Sequence, residues 1–162
     1  MTYSKAYFAG GCFWGIEDLF RLRKGIIDSE VGYMGGKTEF PTYHNHEGHA
    51  EGIELTYDPE LTSFEEILDY FFRIHNPTTL NRQGNDHGSS YRSVIFFQNQ
   101  IEKQSAQEII DIVDQSGKWQ DKVVTSIEPF VKFWPAEPEH QNYLTRYPNG
   151  YTCHFERFET FL

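Results

Sequence analysis

The segment Gly10-Gly11-Cys12-Phe13-Trp14-Gly15 joins two different backbone periods, and that junction constrains the fold of this chain more than any other feature. Upstream, Tyr3–Ala9 reads as a strand; downstream, Phe13, Ile16 and Phe20 recur at helical spacing. The glycine turn therefore sets Cys12 at the start of a helix, where the first N–H groups lack partners and the helix dipole favours an anion. Such a position lowers a thiol's pKa and makes the thiolate available as a nucleophile or redox centre. The glycines let a ligand approach the backbone, and Phe13 and Trp14 wall an apolar pocket. The competing reading is a buried cysteine in an aromatic core, the common fate of a free cysteine. The flanking glycines and the strand-to-helix position favour the reactive one.

The rest of the chain interleaves helices and strands. Ser63 and Glu66 form a capping box for a helix with Phe64, Ile67, Leu68, Phe71 and Phe72 on its apolar face, closed before Asn76-Pro77. Another helix runs from Asn99 towards Gln115, with Ile101, Ile109, Ile112 and Val113 inward and Gly117 beyond its end. Strands are expected at Glu30–Tyr33, Glu51–Tyr57, Tyr91–Phe97 and Val123–Phe133, the last made irregular or edge-like by Pro129. Ile53, Leu55 and Tyr57 alternate with polar neighbours, as in a sheet with one covered face. The pattern predicts an α+β fold: a two-layer sandwich, related to ferredoxin-like folds, with helices packed on a mixed sheet. No linker or repeat divides the 162 residues, so residues 1–162 are expected to form one catalytic domain. Residues 143–162 read as an irregular, mobile tail carrying Cys153.

A net charge of -10 leaves no excess of cations for a phosphate backbone, which argues against a nucleic-acid partner. No long apolar run suggests a membrane span or a secretory leader. Two cysteines make no disulfide framework in a chain of this size, and a cytoplasmic, monomeric protein with chemically active thiols is expected.

Three polar segments carry further candidates. His44, His46 and His49 lie close in sequence, but their spacing fits no helical zinc arrangement, and a solvated loop accounts for His44 and His46; no metal is expected. Glu51 opens a strand beside the aromatic residues, where desolvation raises a carboxyl pKa towards that of a general acid; Tyr43 adds a phenolic donor. Asp86 and His87 sit in a glycine-punctuated loop, either as partners of a cysteine nucleophile or as hydrogen bonds of the loop itself.

Taken together, these segments resemble the class A peptide methionine sulfoxide reductases. The resemblance rests on Gly11-Cys12-Phe13-Trp14-Gly15, Gly32-Tyr33-Met34-Gly35-Gly36, Pro41-Thr42-Tyr43 and Gly48-His49-Ala50-Glu51. Gly84-Asn85-Asp86-His87-Gly88 with Ser90-Tyr91-Arg92-Ser93, and Ala136–Leu144, complete the set in order. It implies reduction of methionine S-sulfoxide, free or in proteins, with Cys12 attacking sulfur and Glu51 protonating oxygen. Tyr43 and Tyr143 would bond that oxygen, Phe13 and Trp14 would hold the methyl group, and Asp86 would help orient the substrate. A sulfenic acid on Cys12 would then condense with Cys153, and thioredoxin (or dithiothreitol in vitro) would reduce the disulfide without any bound cofactor. Two departures stand out. The loop between Tyr43 and Gly48 is shorter than in many relatives, and Thr152 is inserted before Cys153. A cysteine hydrolase using Cys12 with His87 or His49 and Asp86 is the rival enzyme, and it would need no reductant. A non-catalytic aromatic-pocket binding module is the other rival, and it would keep its binding in Cys12→Ser.

Overall fold

In the computed structural model, which describes residues 2–162, the N-terminal junction is built as the residues predict. Strand β1 (Ser4–Gly10) passes through Gly11, at φ +99°, into helix α1 (Phe13–Phe20) with Cys12 at the N-cap. Strands β2 (Ile26–Met34) and β3 (Ala50–Tyr57) follow, then helix α2 (Phe64–Arg73). The short hairpin strands β4 (Arg82–Gln83) and β5 (Asp86–His87) and a 3-10 turn (Ser89–Tyr91) lead into β6 (Ser93–Phe97). Helix α3 (Gln100–Gln115), β7 (Ser126–Pro129), β8 (Trp134–Pro135), a second 3-10 turn (Pro138–His140) and helix α4 (Tyr143–Arg146) complete the order.

Six strands form one mixed sheet in the order β7-β6-β1-β3-β2-β8, antiparallel except for the β6–β7 pair. The fold is α+β. Ser63 Oγ accepts the Glu66 N–H at 3.1 Å and Asn99 Oδ1 accepts the Glu102 N–H at 2.9 Å, which caps α2 and α3. Ala6, Phe8, Val31, Tyr33, Ile53, Leu55 and Ile95 meet the helices in the main core.

Alternate residues of the same strands, Tyr7, Ala9, Met34, Ala50, Val94 and Phe96, form a second cluster. The sheet therefore has both faces covered over much of its area, where one covered face was expected. The cover on the second face comes from the stretch expected as a single strand, Val123–Phe133. Pro129 offers no N–H to a ladder, so β7 stops there and the chain crosses the back of the sheet. Phe130 stacks on Tyr7 with centroids 3.9 Å apart, Phe133 packs beside them, and the chain rejoins the opposite edge as β8.

Other boundaries differ in detail. Strand β2 is longer than expected, and Tyr91 belongs to a 3-10 turn. On α3, Ile101 and Ile112 face solvent at 77% and 40% exposure, because the buried face follows Ala106, Ile109, Ile110 and Val113. The tail begins with one helical turn and then lacks regular structure, yet it is pinned to α2. Asp69 accepts bonds from Thr160 Oγ1 and the Phe161 N–H, and Arg73 Nε donates to Arg157 O at 2.7 Å. Among the described residues, no helix is long and apolar enough to cross a membrane.

Candidate active site

Cys12 is buried at the start of α1, and the carboxyl of Glu51 lies against the same turn, accepting the Phe13 N–H at 3.1 Å. The two come together because β3 pairs with β1 antiparallel, Gly52 opposite Ala9, which brings the first residues of β3 to the end of β1. Glu51 shares the helix-facing side of β3 with Ile53 and Leu55. Burial pushes its carboxyl up to about 8, against the lowering effect of the Phe13 N–H and with a further raise from Asp86. It is a proton carrier at neutral pH.

The thiol behaves differently from the expectation set by the helix start. Burial pushes the Cys12 pKa well above the ordinary thiol value, and the charges of Glu51 and Asp86 add to that. The Trp14 N–H, part of the helix terminus, acts in the expected lowering direction and is outweighed. One turn of exposed N–H groups is a small effect beside loss of water on nearly every side. At rest the site therefore holds a thiol and a carboxylic acid.

An aromatic cage surrounds the pair. Trp14 and Tyr143 stack at 3.9 Å and 16°, Trp14 faces Tyr43 at 6.3 Å, and Phe13 lies between Tyr33 and Tyr43 at 5.7 and 6.3 Å. Burial and then Glu51 push the Tyr43 phenol up to about 12, so it is a hydrogen-bond donor and not an anion. Tyr91 borders the same space; burial and the Glu51 charge raise its phenol too.

Three residues given no role at the level of sequence hold this cage in place. Trp14 Nε1 donates to His140 Nδ1 at 3.1 Å, which leaves the imidazole proton on Nε2; burial lowers the ring's pKa. Glu137 accepts the Tyr33 hydroxyl at 2.8 Å and the Tyr43 N–H at 2.9 Å. The buried Glu17 accepts the Asn142 N–H at 2.7 Å, fixing the left-handed residue (φ 54°) that delivers Tyr143. Helical spacing had made α1 an apolar helix, and a carboxylate inside its buried face was the available signal for Glu17.

The metal candidates are otherwise engaged. His46 bonds Thr42 O and Ser90 Oγ, and His49 bonds the Gly36 N–H and Thr38 O, while His44 is exposed. Glu137, Glu139 and His140 bring ligand atoms within 4.8 Å of one another, but both Glu137 oxygens and His140 Nδ1 already accept the bonds described above. Asp86, whose charge acts on both Cys12 and Glu51, has Oδ2 3.6 Å from Cys153 Sγ; His87 is exposed and pairs with Arg82 across the hairpin. Both cysteines are free thiols, and Cys153 Sγ also reaches Gln83 O at 3.6 Å. The structure thus gathers Phe13, Trp14, Tyr43, Tyr143 and Glu51 around Cys12, and sets Asp86 against Cys153.

The glycines flanking Cys12 do not open the backbone to a ligand. A Cβ on Gly11 would lie 2.6 Å from the Gln83 side chain, and one on Gly15 would lie 2.6 Å from Thr152 Oγ1 and collide with His154. Their space is filled by the chain itself.

This arrangement agrees with what comparison of the whole chain finds. The family model for peptide methionine sulfoxide reductase matches residues 4–160. A protein of Mycolicibacterium gilvum named peptide methionine sulfoxide reductase MsrA is 56% identical over 155 residues, 96% of this chain and 92% of its own. The crystal structure of Mxr1 from Saccharomyces cerevisiae in reduced form is similar with a TM-score of 0.87 at 35% identity, covering 96% of this chain and 92% of that one. Mxr1 in complex with Trx2 is similar at 0.66 and 29% identity, covering 96% and 90%.

Proposed function

This chain belongs to the peptide methionine sulfoxide reductase family, class A, and from that membership we propose how its residues carry the reaction. The enzyme is an oxidoreductase that reduces methionine sulfoxide at the expense of thiols, with thioredoxin as reductant. The observation that carries the assignment of roles is the bond from the Phe13 N–H, next to Cys12 at the start of α1, to Glu51, enclosed by four aromatic rings.

The methyl of the substrate packs on Phe13 and Trp14, since a methyl group is recognised only by apolar contact. Its oxygen points to Glu51, Tyr43 and Tyr143. Sulfoxide oxygen leaves poorly until protonated, so the acid held neutral to about pH 8 is matched to its task. Cys12 sulfur adds to the sulfoxide sulfur as Glu51 hands its proton to oxygen, and the proton released by the thiol restores Glu51. The hydroxyl then passes from the substrate sulfur to the Cys12 sulfur as the new S–S bond breaks, so methionine leaves as the thioether and Cys12 becomes a sulfenic acid. Starting from two neutral groups avoids holding two anions in one buried site.

The S epimer is the substrate, free or in a protein, and Asp86 orients it. Cys153 attacks the Cys12 sulfenic acid, water departs, and thioredoxin exchanges with the disulfide. No bound cofactor takes part. The chain acts as one monomeric catalytic domain, and its two free thiols suit the reducing cytoplasm.

Turnover of both methionine sulfoxide epimers with dithiothreitol tests the assignment. Wild type should reduce only the S epimer, and Cys12→Ser should reduce neither. Reduction of the R epimer, or full activity in Cys12→Ser, would refute it.

A further inference from the structure

We infer that His154 is a positioning residue that seats the tail against the start of α1 and so presents Cys153 to Cys12 for disulfide formation. The inference rests on the two-thiol pathway proposed above and concerns what makes its second step fast.

His154 is a buried polar residue in a tail whose neighbours Thr152 and Phe155 are exposed. Its Nε2–H donates to Gly10 O at 2.8 Å, on the turn that leads directly to Cys12. A carbonyl only accepts, so the ring proton sits on Nε2 and Nδ1 is bare, 3.9 Å from Cys153 Sγ. The imidazole is thus a fixed spacer, with one nitrogen tied to the nucleophile's turn and the other facing the second thiol. Thr152 Oγ1 accepts the His154 N–H at 3.1 Å, which bends the tail into this seat. Thr152, the residue inserted relative to the shorter form of the motif, thereby acquires a task.

The seat is carved by missing side chains. Gly15 is the third residue of α1, where alanine would favour the helix over glycine. A methyl group there would meet His154 Nδ1 and, at 2.6 Å, Thr152 Oγ1. A Cβ on Gly11 would lie 3.0 Å from His154 Nε2, and one on Gly84 3.0 Å from Cys153 Cβ. Three glycines from two distant segments thus form a mould for Thr152, Cys153 and His154.

His154 places the thiol and does not deprotonate it. Burial holds the imidazole below its ordinary pKa, while burial and Asp86 push Cys153 up to about 11. Transfer of a proton from that thiol to that ring runs uphill. In the condensation the Cys153 sulfur bonds to the Cys12 sulfur, the S–O bond breaks, and the departing hydroxide takes the thiol proton as water.

Rapid-quench single turnover of the reduced protein with one equivalent of methionine S-sulfoxide and no reductant tests this. Methionine release reads the first step; intact mass and thiol count read the second. In His154→Phe, which keeps the bulk but removes the donor, methionine release should match wild type. Disulfide formation should slow by about tenfold or more, as effective concentration is lost. Gly15→Ala, which blocks the seat with His154 intact, should do the same. His154→Gln, which can donate to Gly10 O, should recover most of the rate. Dithiothreitol-supported turnover should be unchanged while thioredoxin-supported turnover falls. Disulfide formation at the wild-type rate in both His154→Phe and Gly15→Ala would overturn the inference. So would an equal fall in both steps, which marks general damage to the fold. Absence of methionine release from wild type would instead defeat the underlying reading of function.

Discussion

Cys12 and Cys153 are held by opposite means. Cys12 is 6% exposed, at the junction of a central strand and a helix, with its carboxyl partner delivered by the adjoining strand. Cys153 is half-buried in a segment without regular structure, and its surroundings are side chains and loops from distant parts of the chain: Gln83, Asp86 and His154. Connectivity and core packing fix the first thiol; a few specific contacts fix the second. A nucleophile that must meet a proton donor with sub-ångström consistency belongs on a rigid element. On the two-thiol pathway proposed above, the second thiol must attack one partner and then be exposed to another, which suits a segment that can be released at small cost.

The sharpest test of the contrast removes each thiol in turn. Cys12→Ser should lower methionine formation by about a thousandfold or more with any reductant, because it removes the reacting atom itself. Next comes Glu51→Gln, expected to cost about a hundred- to ten-thousandfold, the usual value of a general acid. Wild-type activity should decline as pH rises through about 8, where Glu51 loses its proton, and the variant should lack that limb. The same shift has a stability consequence. The folded protein keeps the Glu51 proton up to about pH 8, whereas the unfolded chain releases it near 4.5. Stability from this site is therefore lost as pH rises between those values, and Glu51→Gln should remove that loss in melting curves at pH 5 and pH 8.

Cys153→Ser should separate the two regions. One equivalent of methionine should still form, while thioredoxin-supported turnover falls by about a hundredfold for want of a disulfide to exchange. The smallest effect is expected for Glu137→Gln. It weakens the acceptor that holds Tyr33 and Tyr43, so kcat/KM should fall by about tenfold, the scale of one charged hydrogen bond. Disulfide formation should be untouched, since Glu137 braces only the side of the site that carries the first step. A matching loss in disulfide formation would show that the two regions are not independent.

Much of the rigid region was legible from spacing. The strand–turn–helix junction, the helix starts at Ser63 and Asn99, and the buried face of α2 are local patterns, and local hydrogen bonding makes them. Glu51 was legible as a carboxyl beside aromatics, because a strand position implies a pairing partner. The bracing residues were not. Glu137, His140 and Glu17 act across separations of 94, 126 and 125 residues from Tyr43, Trp14 and Asn142, and no periodicity encodes such pairs. The strap over the second sheet face was misread as strand, since Val123–Phe133 has strand composition and only Pro129 hints at the break. Ile101 and Ile112 were misplaced because an apolar residue on a helix need not lie on its buried face.

By itself, then, the sequence determined which cysteine opens a helix and that two thiols are available, and it offered Glu51 as a carboxyl at a strand start beside aromatic residues. These follow from chain connectivity and short-range periodicity. Only the tertiary structure decided which way the Cys12 pKa moves, because burial outweighs the helix terminus that points the other way. It alone decided what fills the space beside Gly11 and Gly15, because a glycine records that a side chain is absent and never which distant residue takes its place.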